Sequence, residues 1–581
     1  MSKKLNSLLR ARVAAEKGTI RKDWGGRLPV ALVYPNYYRL GMANLGFQVV
    51  YRLLNKREEI VAERVFLPER EEMSLLLEGG KGLPSMESLS PLQEFKLIAF
   101  SLSFENDYPN ILKILHLGKI PLLSEERQRN HPLIMAGGIT TFMNPEPIAP
   151  FFDFFLLGEA EAVLDQFLDL LIESYVGGQT KGETLRFLSK NISSLYVPSF
   201  YRIEYHKDGT IKDRVPIVSE AREKIEAPYQ DLDHNPVNTY AILTHEAEFA
   251  ERTLVELGRG CGRSCRFCAA GYVYRPPRAY TQEKLRSCIE NLLKDTKSIG
   301  LLSPCVSDTP GIEDITALIA EKGASFSVSS LRADSLSEAL VDYLNRVGQK
   351  TITLAPEAGS ERLRKVINKH LTKDQIIEAV RMIARKGNFA LRLYFLIGLP
   401  TETIGDVHQI LDLVKSVKHS MVKESRTRGK IRQMKLSINC FVPKPFTPFQ
   451  WMPLEQVGTL KEKQKWLRNS LRREGGIRVN FDLPKWAYIQ CLLSVGDRRV
   501  SHILKLSHEL DQNWTRAFQF SEINPDFFVY RPKSLEEALP WDFIEHGIRK
   551  KHLVQEYEMA LKGQQSDICE VGSCRRCGVC R

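Results

Sequence analysis

Apolar residues in the first third of the chain come in short runs with few polar interruptions. Residues 29–34 (Pro-Val-Ala-Leu-Val-Tyr), 96–103, 132–138 and 152–158 each read as a strand buried on both faces. Between them the spacing changes to that of helices, through Phe47, Val50, Leu53 and Leu54 and again over 159–170. Strands alternating with helices predict an α/β unit with a parallel sheet covered on both sides. Ligands of such sheets lie beyond the carboxyl ends of the strands, where Ser101, Ser103, Gly137 and Gly138 fall. A Pro-containing stretch, 193–249, follows, with a hairpin expected over 201–215 around Asp208-Gly209. From there strand candidates at 254–257, 300–305, 325–330, 351–355, 391–398 and 436–441 alternate with helices near 282–294, 312–322, 336–346, 373–385 and 404–417. Six strands joined by single helices predict parallel right-handed crossovers that curl into an open barrel, with its site at the carboxyl ends. After 453 the pattern is irregular and mainly helical. The expected domains are 1–192, 193–249, 250–453 and 454–581.

Bulk properties add little. A chain of 581 residues, 43% hydrophobic and 26% charged, suits a soluble protein of three or four domains. The first ten residues lack the apolar stretch of a signal peptide. The longest apolar stretch, 147–158, is too short to cross a bilayer and contains Asp153. Seven of the eleven cysteines fall in two tight clusters, which favours a reducing cytoplasm over a disulfide framework. The net charge of +12 draws on basic runs at 423–435, 461–478 and 549–551. Such runs suit either a phosphate backbone or solvated helix faces, and Glu424, Glu462 and Glu474 interrupt them.

The chemistry concentrates in Cys261-Gly-Arg-Ser-Cys265-Arg-Phe-Cys268, a loop directly after the strand at 254–257. Three thiolates on one short loop can hold a [4Fe–4S] cluster and leave its fourth iron open. A structural zinc site closes itself with four ligands, and no fourth Cys or His lies nearby in sequence. The tail carries Cys569, Cys574, Cys577 and Cys580 at a C-x4-C-x2-C-x2-C spacing, which suits an auxiliary [4Fe–4S] cluster or a closed zinc site. Cys288, Cys440 and Cys491 read as core residues, and Cys305, at a strand end, suits either burial or a place facing the site.

The three-cysteine spacing resembles that of the radical S-adenosylmethionine (SAM) enzymes. In those enzymes the open iron binds SAM and reduces it to a 5′-deoxyadenosyl radical. Tyr394-Phe-Leu-Ile-Gly398-Leu-Pro400-Thr-Glu-Thr403 is similar to a turn of the coproporphyrinogen-dehydrogenase, Elongator-type and methylthiotransferase branch. So is residues 353–369, Thr-Leu-Ala-Pro-Glu onward. The resemblance implies SAM contacts at Phe267, Ser307, Asp308, Glu357, Lys369 and Gly398, with Lys369 facing the SAM carboxylate and Gly398 near the adenine. It also implies an electron donor of flavodoxin or ferredoxin type. The first unit resembles the cobalamin-binding domain that precedes many such barrels, with Ser101, Ser103, Gly137 and Gly138 as its landmarks. The expected Asp-x-His-x-x-Gly is replaced by Tyr34-Pro-Asn-Tyr-Tyr-Arg-Leu-Gly41, without histidine. Three readings stay open: cobalamin-aided methyl or group transfer to an unreactive carbon, RNA modification of the methylthiotransferase kind, and a non-catalytic iron–sulfur binding or regulatory module.

Overall fold

The computed structural model describes residues 3–240, 242–249, 252–425 and 433–580. Its amino-terminal part is a six-stranded sheet of β1 (Leu28–Tyr34), β2 (Ile60–Phe66), β3 (Leu97–Ser101), β4 (Leu133–Gly137), β5 (Phe154–Leu156) and β6 (Leu195–Tyr196), in spatial order β2-β1-β3-β4-β5-β6. The first five run parallel and β6 joins antiparallel. In this doubly wound order the winding reverses between β1 and β3, which opens a crevice at the carboxyl ends of those strands. The four expected strands are present, and β2 and β6 extend the sheet at its two edges. The pattern missed β2 because Glu63 and Arg64 stand inside it, both fully buried. Arg64 pairs with Glu16 at 2.7 Å and Glu87 at 2.6 Å, while Glu63 accepts from Trp24, Ser85 and Ser88. Buried charges persist when paired in this way.

The expected hairpin forms as β7 (Tyr201–Tyr205) and β8 (Ile211–Pro216), followed by the short β9 (Ile225–Glu226). The barrel is built of β10 (Thr253–Glu256), a ribbon of β11 (Gly258–Arg259) and β12 (Arg278–Ala279), then β13 (Ser298–Leu302), β14 (Ser325–Val328), β15 (Thr351–Glu357), β16 (Ala390–Ile397), β17 (Met434–Cys440) and β18 (Ile477–Phe481). Two parallel sheets, β10-β13-β14 and β15-β16-β17-β18, meet through a parallel bridge between Leu331 and Leu354. Along β15, β16 and β17 every second residue is buried against the outer helices, and the alternate residues are half-buried on the barrel interior. The structure adds a seventh parallel strand, β18, to the expected six. Its place in the irregular carboxyl-terminal part hid it, since it is short and exposes Arg478 and Asn480.

The carboxyl-terminal part is otherwise mainly helical, as expected, and returns to the first sheet. β19 (Ile544–Glu545) pairs with β9, and Trp514 and Trp541 enter the same core as the amino-terminal strands. Asn144 donates to the Ser494 and Gly496 carbonyls, and Arg498 pairs with Glu146 at 3.1 Å. Among the described residues no helix is long and apolar enough to cross a membrane. Of the basic runs, most of 423–435 lies outside the described residues. In 461–478, Lys463 is buried between Glu402 and Glu455, each at 2.7 Å.

Candidate active site

The cysteine loop leaves the top of the barrel directly after β11. Its backbone carries strain: Ser264 sits at φ +56°. Tyr272 and Asn368 donate to its carbonyl and Arg275 to its Oγ, which holds a conformation costing on the order of 1–3 kcal/mol. Arg266 is fully buried; it pairs with Glu556 at 3.0 Å and donates to the Val366 and Gln564 carbonyls. The loop is thereby fixed to the β15 segment and to the carboxyl-terminal helix Lys550–Leu561. Burial pushes the Cys268 thiol up to about 12, with Cys265 and Cys261 adding to the rise. Cys261 is raised as well, first by burial. A metal bound to such thiols would supply the positive charge that favours their ionised form.

Around them the barrel rim brings together several of the expected residues. Glu357 ends β15 at φ +65° and pairs with the buried Lys369 at 3.3 Å. Burial alone would lower Lys369, but Glu357 and the nearby Cys265 outweigh it and raise it. Arg332, which the sequence did not single out, donates to the Lys369 carbonyl and pairs with Asp334 at 2.9 Å. Asp308 is already engaged by Arg263 at 2.6 and 2.7 Å, and Ser307 by Ser335 at 2.8 Å. Phe267 packs against the apolar cluster that includes Ala358, Leu363, Ile367 and Phe449, so its visible part is to seat the loop on the barrel. Gly398 has φ +79°, and its N–H donates to Glu402 at 2.9 Å. A methyl group there would lie 2.9 Å from Leu460, so the close approach this glycine permits is to the chain itself.

Ser101, Ser103, Gly137 and Gly138 come together at the ends of β3 and β4, on the wall of a cavity of about 600 Å³. Gly138, at φ +109°, crosses so close to Leu102 that a methyl group would lie 2.4 Å from its carbonyl oxygen. The cavity runs from this rim to Gly260, Ala270, Tyr274, Leu302 and Ser329 of the barrel. Its inner end is an apolar slot between the sheet and the helices Leu45–Lys56 and Ala160–Val176, lined by Val50, Leu54, Ala99 and Phe167. Its floor is an ion network invisible in the sequence. Arg259 reaches Glu159 at 2.7 Å, Glu161 at 2.5 Å and Glu256 at 2.7 Å, and Arg278 reaches Glu159 at 2.6 Å.

The tail lies on the cysteine loop. The Cys569 N–H donates to the Gly262 carbonyl at 3.0 Å, and Ser566 exchanges hydrogen bonds with Asn368. Cys569, Ile568 and Val571 line a second cavity of about 430 Å³ together with Cys261, Cys305 and Asp308. Arg275 donates to Ser264 of the first cysteine loop at 2.7 Å, and its charge is felt by Cys577 and Cys569 of the tail, so one guanidinium stands between the two groups.

Residues 46–198 match the family described as radical SAM proteins, N-terminal, and residues 255–414 match the radical SAM superfamily. An uncharacterized protein of Methanocaldococcus jannaschii is 31% identical over 482 residues, which cover 82% of this chain and 91% of that protein. The chain belongs to the radical SAM superfamily. This radical SAM enzyme is also similar to an uncharacterized methyltransferase of Pyrococcus horikoshii, 24% identical over 49% of this chain and 58% of that protein. It is 26% identical to the tRNA-2-methylthio-N(6)-dimethylallyladenosine synthase of Bdellovibrio bacteriovorus, over 28% of this chain and 39% of that protein. Among solved structures, the cobalamin-dependent S-adenosylmethionine radical enzyme OxsB, with aqua-cobalamin and S-adenosylmethionine bound, aligns at TM-score 0.46 and 14% identity over 92% of this chain and 79% of that one.

As a radical SAM enzyme it works with a [4Fe–4S] cluster and SAM and draws on an electron donor. The three-cysteine loop fits the cluster. Among the described residues no three His, Cys, Asp or Glu converge on a single-ion site. A cubane does not require that, since its thiolates bind separate irons.

Proposed function

We propose that this radical SAM enzyme holds its cluster on Cys261, Cys265 and Cys268, seats a corrinoid between sheet and barrel, and transfers a methyl or similar group to an unreactive carbon. The observation that supports the corrinoid is the cavity of about 600 Å³, which joins the strand-end landmarks to the barrel mouth. Its apolar slot suits the base-bearing tail of such a ligand, and its open end suits a flat macrocycle. No histidine is among its lining residues, so the corrinoid would be held without an imidazole of the chain on its metal. When bound, the cluster with SAM supplies radical chemistry and the corrinoid supplies a metal able to carry a methyl group.

The chain's own residues do the rest. Three cysteines leave one iron for SAM. Lys369, kept cationic by Glu357, faces the SAM carboxylate with Arg332 beside it. Glu357 and Gly398 shape the rim, and the covering tail excludes water. Cys569, Cys574, Cys577 and Cys580 hold a second centre, read here as iron–sulfur with zinc as the alternative. A flavodoxin- or ferredoxin-type donor and a reducing cytoplasm belong to the same proposal. The RNA-modifying reading rests on sequence similarity over 178 to 300 residues.

Cobalamin retention tests the proposal. Anoxically reconstituted protein, incubated with hydroxocobalamin and desalted, should keep about one corrin per chain by absorbance. Ala99→Phe, which fills the slot, should lower retention at least tenfold with an unchanged melting temperature. No corrin on the wild-type chain would refute the corrinoid, and co-purified nucleic acid would turn the reading to RNA.

A further inference from the structure

Three cations stand side by side on the interior face of the barrel. In the parallel register Arg392 of β16 lies opposite Lys435 of β17, and Lys435 lies opposite Arg478 of β18. The burial alternation puts them on the same face: Leu391, Leu393, Met434 and Leu436 turn into the outer core, while Arg392 and Lys435 are half-buried on the other side. Arg478 shares that face and is exposed. Like charges placed directly opposite on neighbouring strands repel. Arg64, Arg259 and Lys463, buried or half-buried elsewhere in the chain, answer that cost with carboxylates. No carboxylate among the described residues pairs with Arg392, Lys435 or Arg478.

The next row up the same face is Tyr394, Ser437 and Asn480, again in register and neutral. Above it Leu396 reaches the group of side chains in which Phe267 of the cysteine loop packs. From Arg392 to Leu396 is four residues of strand, about 13 Å at the usual rise. On the other sheet the interior offers small residues instead, with Gly300 opposite Ser327 in register. Leu254 fills the space beside Gly300, so the cationic wall faces a packed one.

We propose that this row binds a phosphate group of the substrate, and that the carbon to be modified lies toward the cysteine loop. Two guanidiniums and an ammonium match the charge and the several acceptor oxygens of a phosphate or pyrophosphate better than a single carboxylate. The proposal rests on the lumen being the substrate space of the radical enzyme described above. It names the substrate class: a phosphorylated molecule with its reacting carbon on the order of 10 Å from the phosphate.

Inorganic pyrophosphate is the probe, titrated calorimetrically at low salt into the anoxically reconstituted full-length protein. One equivalent should bind to the wild type. Arg392→Gln/Lys435→Gln should weaken binding at least thirtyfold, with a melting temperature that holds or rises as the repulsion is relieved. Lys465→Gln, on the exposed face of the helix Val457–Arg472, controls for general charge and should bind as the wild type does. Equal binding by the double variant, equal loss in the control, or no binding by the wild type would each overturn the site. SAM cleavage by the wild type is read separately. Its absence with pyrophosphate binding intact would fault the radical reading and leave the anion site standing.

Discussion

Lys369 and Glu357 form a nearly buried pair, so a single substitution removes the proposed SAM contact and also leaves a carboxylate unpaired. Lys369→Met should therefore destabilise the fold by about 3 kcal/mol, the scale of a broken buried ion pair. Lys369→Met/Glu357→Gln removes both charges and should recover most of that loss in melting temperature. SAM affinity, measured by equilibrium dialysis under anoxia, should still fall by about 1.5–3 kcal/mol in the double variant. Recovery of both stability and affinity would make the pair purely structural. At this scale the sequence was uneven. The grouping of Cys261, Cys265 and Cys268 follows from their spacing, and Glu357 and Lys369, singled out by the resemblance of their segment, are brought together by the fold. Arg332 and Arg275 were not readable, because their roles arise from neighbours on other elements.

The turn after β16 shows how an element is held at its end. Asp406, in the first turn of the helix Ile404–Ser425, accepts from the Thr403 N–H and Oγ, from Ser360 Oγ and from Arg362. Burial pushes its carboxyl up, but these donors outweigh it and bring it down to about 2. A depressed folded value means that the ionised form stabilises the fold above the unfolded carboxyl range. That stabilisation, about 2 kcal/mol, is present above roughly pH 4 and is lost as pH falls toward 2. Asp406→Asn should lower the melting temperature at pH 7 and converge with the wild type near pH 2, as thermal melts across that range would show. A wild-type advantage unchanged down to pH 2 would contradict the assignment. The strands tell the same story of partial legibility. β1, β3 and β4 are apolar runs and were readable. β2 conceals a charged pair inside the sheet, and β18 carries its two polar residues toward the lumen, so hydrophobic pattern alone discounts both.

Over the whole molecule, sequence order says little about what meets what. Glu159 and Arg259 lie far apart in the chain yet join the first sheet to the barrel, and the last residues return to the first cysteine loop. The tail is the sharpest instance. Residues 569–580 are too few to build a core, so their local order needs a metal or a docking surface. The structure supplies a surface through Gly262, Asn368 and Arg275, and the four thiols are the proposed ligands. If these thiols hold an iron–sulfur cluster, Cys574→Ser/Cys577→Ser in the full chain should lower iron by about four atoms per chain and keep the cluster of the first loop. Both clusters would lie within reach of Arg275, so in the reduced wild type their electron-paramagnetic spectra should show mutual broadening. The variant should return a single unbroadened signal. A loss of one zinc in place of iron would make the tail a staple that closes the mouth. An unchanged metal content would leave the tail held by hydrogen bonds such as those to Gly262, Asn368 and Arg549.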